Sequence, residues 1–179
     1  MNRHVAFLRG INLGRRRVKM DDLRRAFEAF GLSDVATWIA SGNVIFPHSG
    51  SGLQALEAGL EAHLAKSLGY DVATFIRSVG DLERITQLDL VEPARAEGFN
   101  LHVIFLRRKP DAGVRRALAA LEGPDDQFHV PGRDVLWLRR GRLTDSPVNG
   151  RELEKALGSA SSTMRNLNTV KQIVARYAG

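Results

Sequence analysis

The sequence predicts an α+β protein made of two ferredoxin-like halves, each with the element order β-α-β-β-α-β. Two observations predict this fold. Over residues 1–78, apolar strand-like runs and amphipathic helical segments alternate in that order, and the order begins again near residue 99. The chain has 179 residues, of which 44% are hydrophobic and 26% charged. Each half can therefore bury a core between an antiparallel sheet and helices packed on one face of it.

The first half shows all six elements. They are a strand at 5–8, a helix at 19–30, strands at 35–40 and 43–46, a helix at 53–68 and a strand at 70–76. The run 5–8 is apolar throughout, which is typical of a central strand covered on both faces. In the first helix apolar residues recur at intervals of three and four, and Gly31 ends it. Ser41-Gly42 is a turn-forming pair, so the runs on either side of it predict a hairpin.

The second half repeats this plan but ends differently. Its elements are a strand at 100–106, a helix at 112–121, strands at 127–130 and 134–138, and a helix at 150–157. No closing strand is predicted, because the apolar residues of 164–177 have helical spacing. We therefore expect an incomplete second repeat with a C-terminal helix. The expected domains are 1–78, a connector at 79–98 with a short helix at 81–88, and 99–179.

Composition and charge narrow the class of function. The chain has no cysteine, which excludes disulfides, thiolate metal sites and a cysteine nucleophile. The first apolar run is too short for a signal peptide, and no apolar stretch approaches the roughly 20 residues of a membrane span, so we expect a cytoplasmic protein without membrane contact. The net charge of +6 favours polyanionic partners such as nucleic acid or phosphorylated metabolites. A general preference for arginine would give the same excess, and the oligomeric state is not indicated.

A basic loop bracketed by Gly10 and Gly14 follows the first strand. The glycines permit a tight turn that exposes backbone amides to an anion. The candidate ligand-binding residues of this loop are Arg9, Asn12, Arg15, Arg16 and Arg17. Alternatively, the first glycine only ends the strand, the asparagine bonds to nearby backbone and the arginines point into solvent. The spacing is not that of a P-loop.

Two further motifs supply candidate ligand-binding residues. In SGN these are Ser41 and Asn43, although a hairpin turn with a left-handed glycine explains them more simply. No base or orienting partner and no strand-turn-helix elbow surrounds the serine, as a nucleophile would require. In TMRN, Thr163 would cap a helix whose unpaired amides, beside Arg165 and Asn166, form an anion pocket. The alternative is an ordinary capped helix in which Arg165 and Asn166 hold the chain end.

The remaining polar clusters are interpreted as structural. Trp137 is followed by Arg139, Arg140 and Arg142. This pattern is similar to an RNA-binding sheet, but a core tryptophan beside a solvated edge explains it more simply. Asp125 and Asp126 follow a proline and are predicted turn residues. The five histidines lack metal-ligand spacing and no acid-base pair stands out, so no metal site, cofactor or catalytic residue is predicted.

Three separated motifs, RGIN, SGNVIF and TMRN, resemble those of DUF1697, a bacterial family of uncharacterised proteins. The matching positions are Arg9, Gly10, Ile11, Asn12, Ser41, Gly42, Asn43, Thr163, Arg165, Asn166 and Thr169. The resemblance implies a duplicated fold of ferredoxin-like halves, and it implies no activity. The chain departs from the family at Arg15, where a second glycine is usual, and at Leu167, where an aromatic residue is common.

Two functions of different classes fit these observations. The first is a non-enzymatic binder of a phosphate-rich ligand such as nucleic acid, which uses Arg9, the run 15–17 and Arg165. The second is an enzyme or sensor for a small phosphorylated metabolite or nucleotide, bound where the RGIN loop and the TMRN segment would converge between the halves. Convergence of Arg9, Asn12, Ser41 and Arg165 on one cleft is the corresponding expectation. An interaction domain without a small ligand is the remaining alternative.

Overall fold

The structure, a computed structural model, describes residues 2–12, 14, 16–39, 41–158 and 162–178. Its elements are β1 (Asn2–Arg9), α1 (Met20–Ala29), β2 (Ala36–Thr37), β3 (Asn43–His48), α2 (Leu53–Leu68), β4 (Ala73–Ser78), α3 (Val79–Thr86), α4 (Val91–Ala96), β5 (Phe99–Leu106), α5 (Ala112–Ala119), β6 (Asp126–His129), β7 (Val135–Arg140), a 3₁₀ turn (Leu143–Asp145), α6 (Gly150–Ala156), β8 (Ser162–Asn166) and α7 (Leu167–Tyr177). Among the described helices, none has the length and apolar character needed to cross a membrane.

The chain divides into two compact units, each with a four-stranded antiparallel sheet. The first unit comprises Met1–Leu82 and Ile173–Gly179, and the second comprises Glu83–Gln172. The strand order is β2-β3-β1-β4 in the first sheet and β6-β7-β5-β8 in the second. In both sheets the strand that comes first in the chain is central and pairs with a neighbour on each side. The predicted α+β fold of duplicated βαββαβ halves is confirmed.

The second repeat is complete, so the expectation that its final strand is missing was wrong. β8 pairs antiparallel with β5, and Met164 lies opposite Ile104 in this ladder. Met164 also packs against the core of the sheet. The segment 164–177, predicted as one helix, thus contains the end of a strand followed by a helix, because α7 begins only at Leu167. At β8, pairing with the central strand β5 determines the conformation, although the local spacing of apolar residues favours a helix.

Two other elements differ from expectation. The predicted connector contains α4, whose Pro93 lies in the first turn, where a missing N–H costs no helical hydrogen bond. The strand predicted at 35–40 is only the two residues of β2. Beyond it Ile39 adopts a φ of +51°, a left-handed conformation that ends the strand and that β-branched residues rarely accept.

The first unit buries its core between one face of the sheet and two helices. Leu23 and Phe27 of α1, with Leu60 and Leu64 of α2, are fully buried. They pack against sheet side chains such as Phe46. Burying one such side chain contributes about 1.5–3 kcal/mol to stability. Apolar burial therefore fixes both helices on this face.

Polar bonds also tie α2 to the outer strand of the first sheet. The Thr74 amide donates to Glu61 Oε1 and the Ile76 amide to Glu57 Oε1, each over 2.7 Å. The two glutamates are four residues apart, so they project from the same side of the helix. Glu57 is itself buried. Because β4 is an edge strand, these carboxylates bind amides that pair with no neighbouring strand.

A buried polar network organises the second unit around Asp126. This residue was predicted to lie in a turn, but it is the first residue of β6 and is only 2% exposed. Its carboxylate accepts hydrogen bonds from Trp137 Nε1, Arg139 Nη1 and Ser146 Oγ, each over 2.9 Å. Trp137 and Arg139 are buried as well. Trp137 is thus a core tryptophan, as expected, but the expectation of a solvated edge was wrong for Arg139, which is held in the interior by Asp126.

Substitution of Asp126 by asparagine tests this network. Asp126→Asn removes the charge that compensates the buried Arg139 guanidinium, so we expect the free energy of unfolding to fall by about 3–5 kcal/mol. The measurement is urea unfolding followed by tryptophan fluorescence. Asp125→Asn is the matched control, since Asp125 and Arg140 lie 3.9 Å apart with about half of each side chain exposed. Its effect should stay within about 0.5 kcal/mol. Equal losses in the two variants would contradict the assignment.

Candidate functional site

The RGIN loop leaves the first sheet at the end of β1 and folds back on itself. Gly10 and Gly14 have φ values of +75° and +61°, in the left-handed region that glycine adopts readily. Asn12 Oδ1 accepts a hydrogen bond from the Val18 amide over 2.8 Å and so closes the loop. Ile11 points inward and is 3% exposed. The loop is therefore held by its own asparagine and by one apolar anchor.

The SGN turn lies directly against this loop. Gly42 has a φ of +73°, which confirms the left-handed turn glycine, and a Cβ at this position would stand 2.8 Å from Ile11 Cγ2. The Gly42 carbonyl accepts from the Leu8 amide over 2.9 Å. Asn43 is fully buried and its Nδ2 donates to Trp38 O and Ser41 Oγ. The first two motifs thus form one structural unit.

The arginines of this loop differ from its asparagine in facing solvent. Arg9, Arg16 and Arg17 are exposed, while Arg15 lies outside the described residues. The Arg16 guanidinium lies 4.2 Å from the centroid of the Tyr70 ring. The Tyr70 hydroxyl donates to the Ile11 carbonyl, which fixes the ring beside the loop. We call Arg9, Arg16 and Arg17 the RGIN-loop arginines.

Arg16 and Arg17 keep their charge uncompensated by any carboxylate in the part of the chain that the structure describes. Among the residues that the structure describes, the carbonyls of Gly14 and Arg16 are the acceptors of Arg17 Nη1. By contrast, Arg24 and Arg25 of α1 lie within 4 Å of carboxylates on the same helix. The loop is thus a local source of positive potential.

The TMRN motif lies in the second unit, on β8 and not at a helix start. The prediction that Thr163 caps a helix was wrong, because Thr163 is a buried strand residue. Arg165 Nη1 donates to Thr163 Oγ1 and to the Met164 carbonyl. Burial lowers the pKa of Arg165 to about 10, so it remains charged at neutral pH. Asn166 Oδ1 accepts from the Asn168 amide in the first turn of α7. Convergence of this motif with the RGIN loop stays a prediction.

The second unit contains a cleft that the sequence did not predict. Its volume is about 390 Å³. It is lined by Asn100 and His102 of β5, Asn166 of β8 and residues 141–144 after β7. β5 begins at the same end of the sheet at which β7 and β8 finish, so the strand register brings these segments together. We call this the His102 cleft.

His102 is half-buried and forms part of the sheet wall of the cleft. Its Nδ1 is enclosed and finds no hydrogen-bond partner among the residues that the structure describes. Desolvation by burial lowers the pKa of His102 below its ordinary value of 6.5. The ring centroid lies 6.3 Å from that of Trp137. The sequence contains an indication of this cleft. Asn100 and His102 lie on the same face of β5 as the core residue Ile104, so two polar side chains stand on a face that is otherwise apolar.

Metal binding finds no support in this geometry. Within the described ranges, no three histidine, aspartate or glutamate side chains are grouped so that they could hold an ion.

Comparison with known proteins supports the fold and assigns no activity. The profile of a family described as "Protein of unknown function (DUF1697)" matches residues 1–136, a range that includes RGIN and SGN and ends before TMRN. A solved structure of a conserved bacterial protein from Streptococcus pneumoniae shares 22% identity and a TM-score of 0.69, covering 100% of this chain and 99% of the other. No curated protein matches the chain.

Substitution of Gly42 by alanine tests the contact between the first two motifs. The added methyl group meets Ile11 and Leu8 at 2.8 and 3.2 Å, in a left-handed backbone conformation. We expect a loss of roughly 2–4 kcal/mol in the free energy of unfolding. Gly69→Ala is the control, since Gly69 has a φ of +78° with nothing within 4 Å. It should cost about 1 kcal/mol. Equal losses would show that backbone conformation alone demands glycine at position 42.

The lowered pKa of His102 predicts a pH dependence of stability. Below pH 6.5 the unfolded state binds a proton that the folded state resists, so stability falls as the pH falls through this range. His102→Gln should lose less stability than the wild type between pH 7.5 and about 5.5 in thermal unfolding. A residual dependence from His4, whose pKa burial also lowers, should remain. His129→Gln, at an exposed strand position, should behave as the wild type. A full wild-type dependence in His102→Gln would contradict the assignment.

Proposed function

The chain belongs to DUF1697, a family described as one of unknown function, and we propose that it binds a phosphate-rich ligand such as nucleic acid. The RGIN-loop arginines would bind this ligand. The observation that carries the proposal is the exposure of Arg16 and Arg17 with no carboxylate partner within the described residues. A polyanion would supply the missing counter-charges.

The type of side chain favours phosphate. A guanidinium presents a planar fork of donors that matches two phosphate oxygens, and it also stacks on flat rings. Arg16 already lies over Tyr70, so the loop combines positive charge with an aromatic face. Charged grooves with aromatic faces are the common means of binding single strands. The net charge of +6 would attract such a strand at long range.

The exposure of the arginines favours a long ligand over a small one. A single exposed ion pair contributes only about 0–1 kcal/mol in water. A strand of nucleic acid engages several arginines together and releases the counterions condensed on its phosphates. The cytoplasm, which we propose as the location of the protein, supplies such strands. The proposal requires no catalytic step.

Salt-dependent binding tests the proposal. We expect a fluorescent single-stranded oligonucleotide to bind in an anisotropy titration, with log Kd rising linearly with log salt concentration. The double variant Arg16→Gln, Arg17→Gln should weaken binding and lower the salt slope by about 1 for each phosphate that is no longer neutralised. Inorganic phosphate at equal ionic strength should compete poorly.

The matched control for this experiment is Arg24→Gln, Arg25→Gln. It removes the same two charges from the same unit, but from arginines that are paired on α1. Binding by this control should stay near that of the wild type. An equal loss in both double variants would reduce the effect to net charge, and the absence of binding at low salt would overturn the proposal.

A further inference from the structure

The His102 cleft has the volume of a small-molecule site, and most of the residues that line it have polar side chains. At about 390 Å³ it lies at the lower end of the range of about 300–1,000 Å³ that ligand pockets occupy. None of the described residues that line it is acidic. Leu143 gives it one apolar contact surface. These features favour a compact polar ligand that is not cationic.

Three side chains on the sheet side of the cleft have unused hydrogen-bonding capacity. His102 Nδ1 is buried without a partner in the described part of the chain. Asn166 uses its Oδ1 for the Asn168 amide, which leaves its Nδ2 as a donor. Asn100 uses its Nδ2 for the Gly141 carbonyl, which leaves its Oδ1 as an acceptor. Buried polar groups are normally paired, and this nitrogen has almost no exposed surface, so a ligand in the cleft would reach it only after the imidazole ring turns.

Two arginines near these side chains supply positive charge. Arg142 lines the His102 cleft, and Arg95 lines a small cavity of about 50 Å³ that shares Asn100 and Asn166 with it. No carboxylate within the described ranges pairs with either arginine. Two nearby arginines, by contrast, have carboxylates close to them. Arg139 is bound to Asp126. Arg140 lies over the Phe99 ring, with Asp125 at 3.9 Å. Among the described residues, Arg142 therefore gives the cleft a positive charge without a carboxylate partner, whereas Arg95 interacts electrostatically with Glu92 on the same helix.

We propose that the His102 cleft binds a small phosphomonoester that carries hydroxyl groups, with its phosphate on Arg142 and its hydroxyl groups on Asn100, His102 and Asn166. A guanidinium fork matches phosphate oxygens, and carboxamides offer both the donor and the acceptor that a hydroxyl group needs. The lowered pKa of His102 keeps the imidazole neutral at pH 7, so it can accept as well as donate. The residues that line this site all belong to the second unit.

Nuclear magnetic resonance titrations of the full chain test this site. The probes are ribose 5-phosphate and adenosine 5′-monophosphate, each compared with its unphosphorylated counterpart and with inorganic phosphate. We expect saturable shifts at His102 and at the side-chain amides of Asn100 and Asn166 with at least one phosphorylated probe. Ribose and adenosine should bind much more weakly.

The variants separate phosphate recognition from general effects of charge. Arg142→Gln should weaken binding of the phosphorylated probe by roughly twofold to fivefold, because Arg142 is exposed and a single exposed ion pair is weak. Arg140→Gln is the matched control, because that arginine lies two residues away and does not line the cleft. It should bind as the wild type does. His102→Gln should weaken binding of the phosphorylated probe while leaving the two-dimensional spectrum that of a folded protein.

The outcomes are decisive in both directions. Weaker binding by Arg142→Gln, with wild-type affinity in Arg140→Gln, supports the site. Absence of saturable binding of both phosphorylated probes, equal affinity in the two arginine variants, or shifts confined to residues outside the cleft would overturn it. The RGIN-loop variant Arg16→Gln, Arg17→Gln should bind the small probe normally, so failure of one proposal is distinguishable from failure of the other.

Discussion

Each unit depends on one central strand that pairs antiparallel with a neighbour on both sides. β1 and β5 have this position, and antiparallel pairing decides which chain segments meet at each end of a sheet. At the end of β1, Phe7 lies opposite Asn43, so the RGIN loop must emerge beside the SGN turn. At the start of β5, His102 lies opposite Asn166 and Asn100 opposite Arg139. The loop cluster of one unit and the cleft of the other are both products of strand register.

Arginine has two distinct roles in this protein, which the sequence alone does not separate. Arg139 and Arg165 are bonded inside the second unit, to Asp126 and to Thr163. Arg16 and Arg142 face solvent without a carboxylate partner in the described residues. Both kinds count equally in the net charge of +6. The basic excess therefore indicates a partner only after the internally bonded arginines have been identified in the structure.

Sequence patterns predicted those parts of the fold that depend on local periodicity. The helix at 53–68 agrees in both bounds with α2, and the apolar run 5–8 lies within a central strand. The prediction failed at β8, where pairing with β5 overrides the local pattern. The sequence predicted the left-handed turn at Gly42, but it did not predict that a methyl group of Ile11, 31 positions away, leaves no room for a Cβ there. His102 was missed since its neighbours in the cleft come from three separate segments.

The two glutamates that bind the outer strand of the first sheet have a consequence for how this protein meets others. An exposed strand edge is a template on which another chain can add a strand, whether in recognition or in aggregation. On β4 that template is already occupied at Thr74 and Ile76 by carboxylates of the same chain. At the opposite border β2 offers only two residues. Addition of a strand from another chain is thereby disfavoured at both edges of this sheet. Side chains and loops are therefore the surfaces through which this unit can bind another molecule.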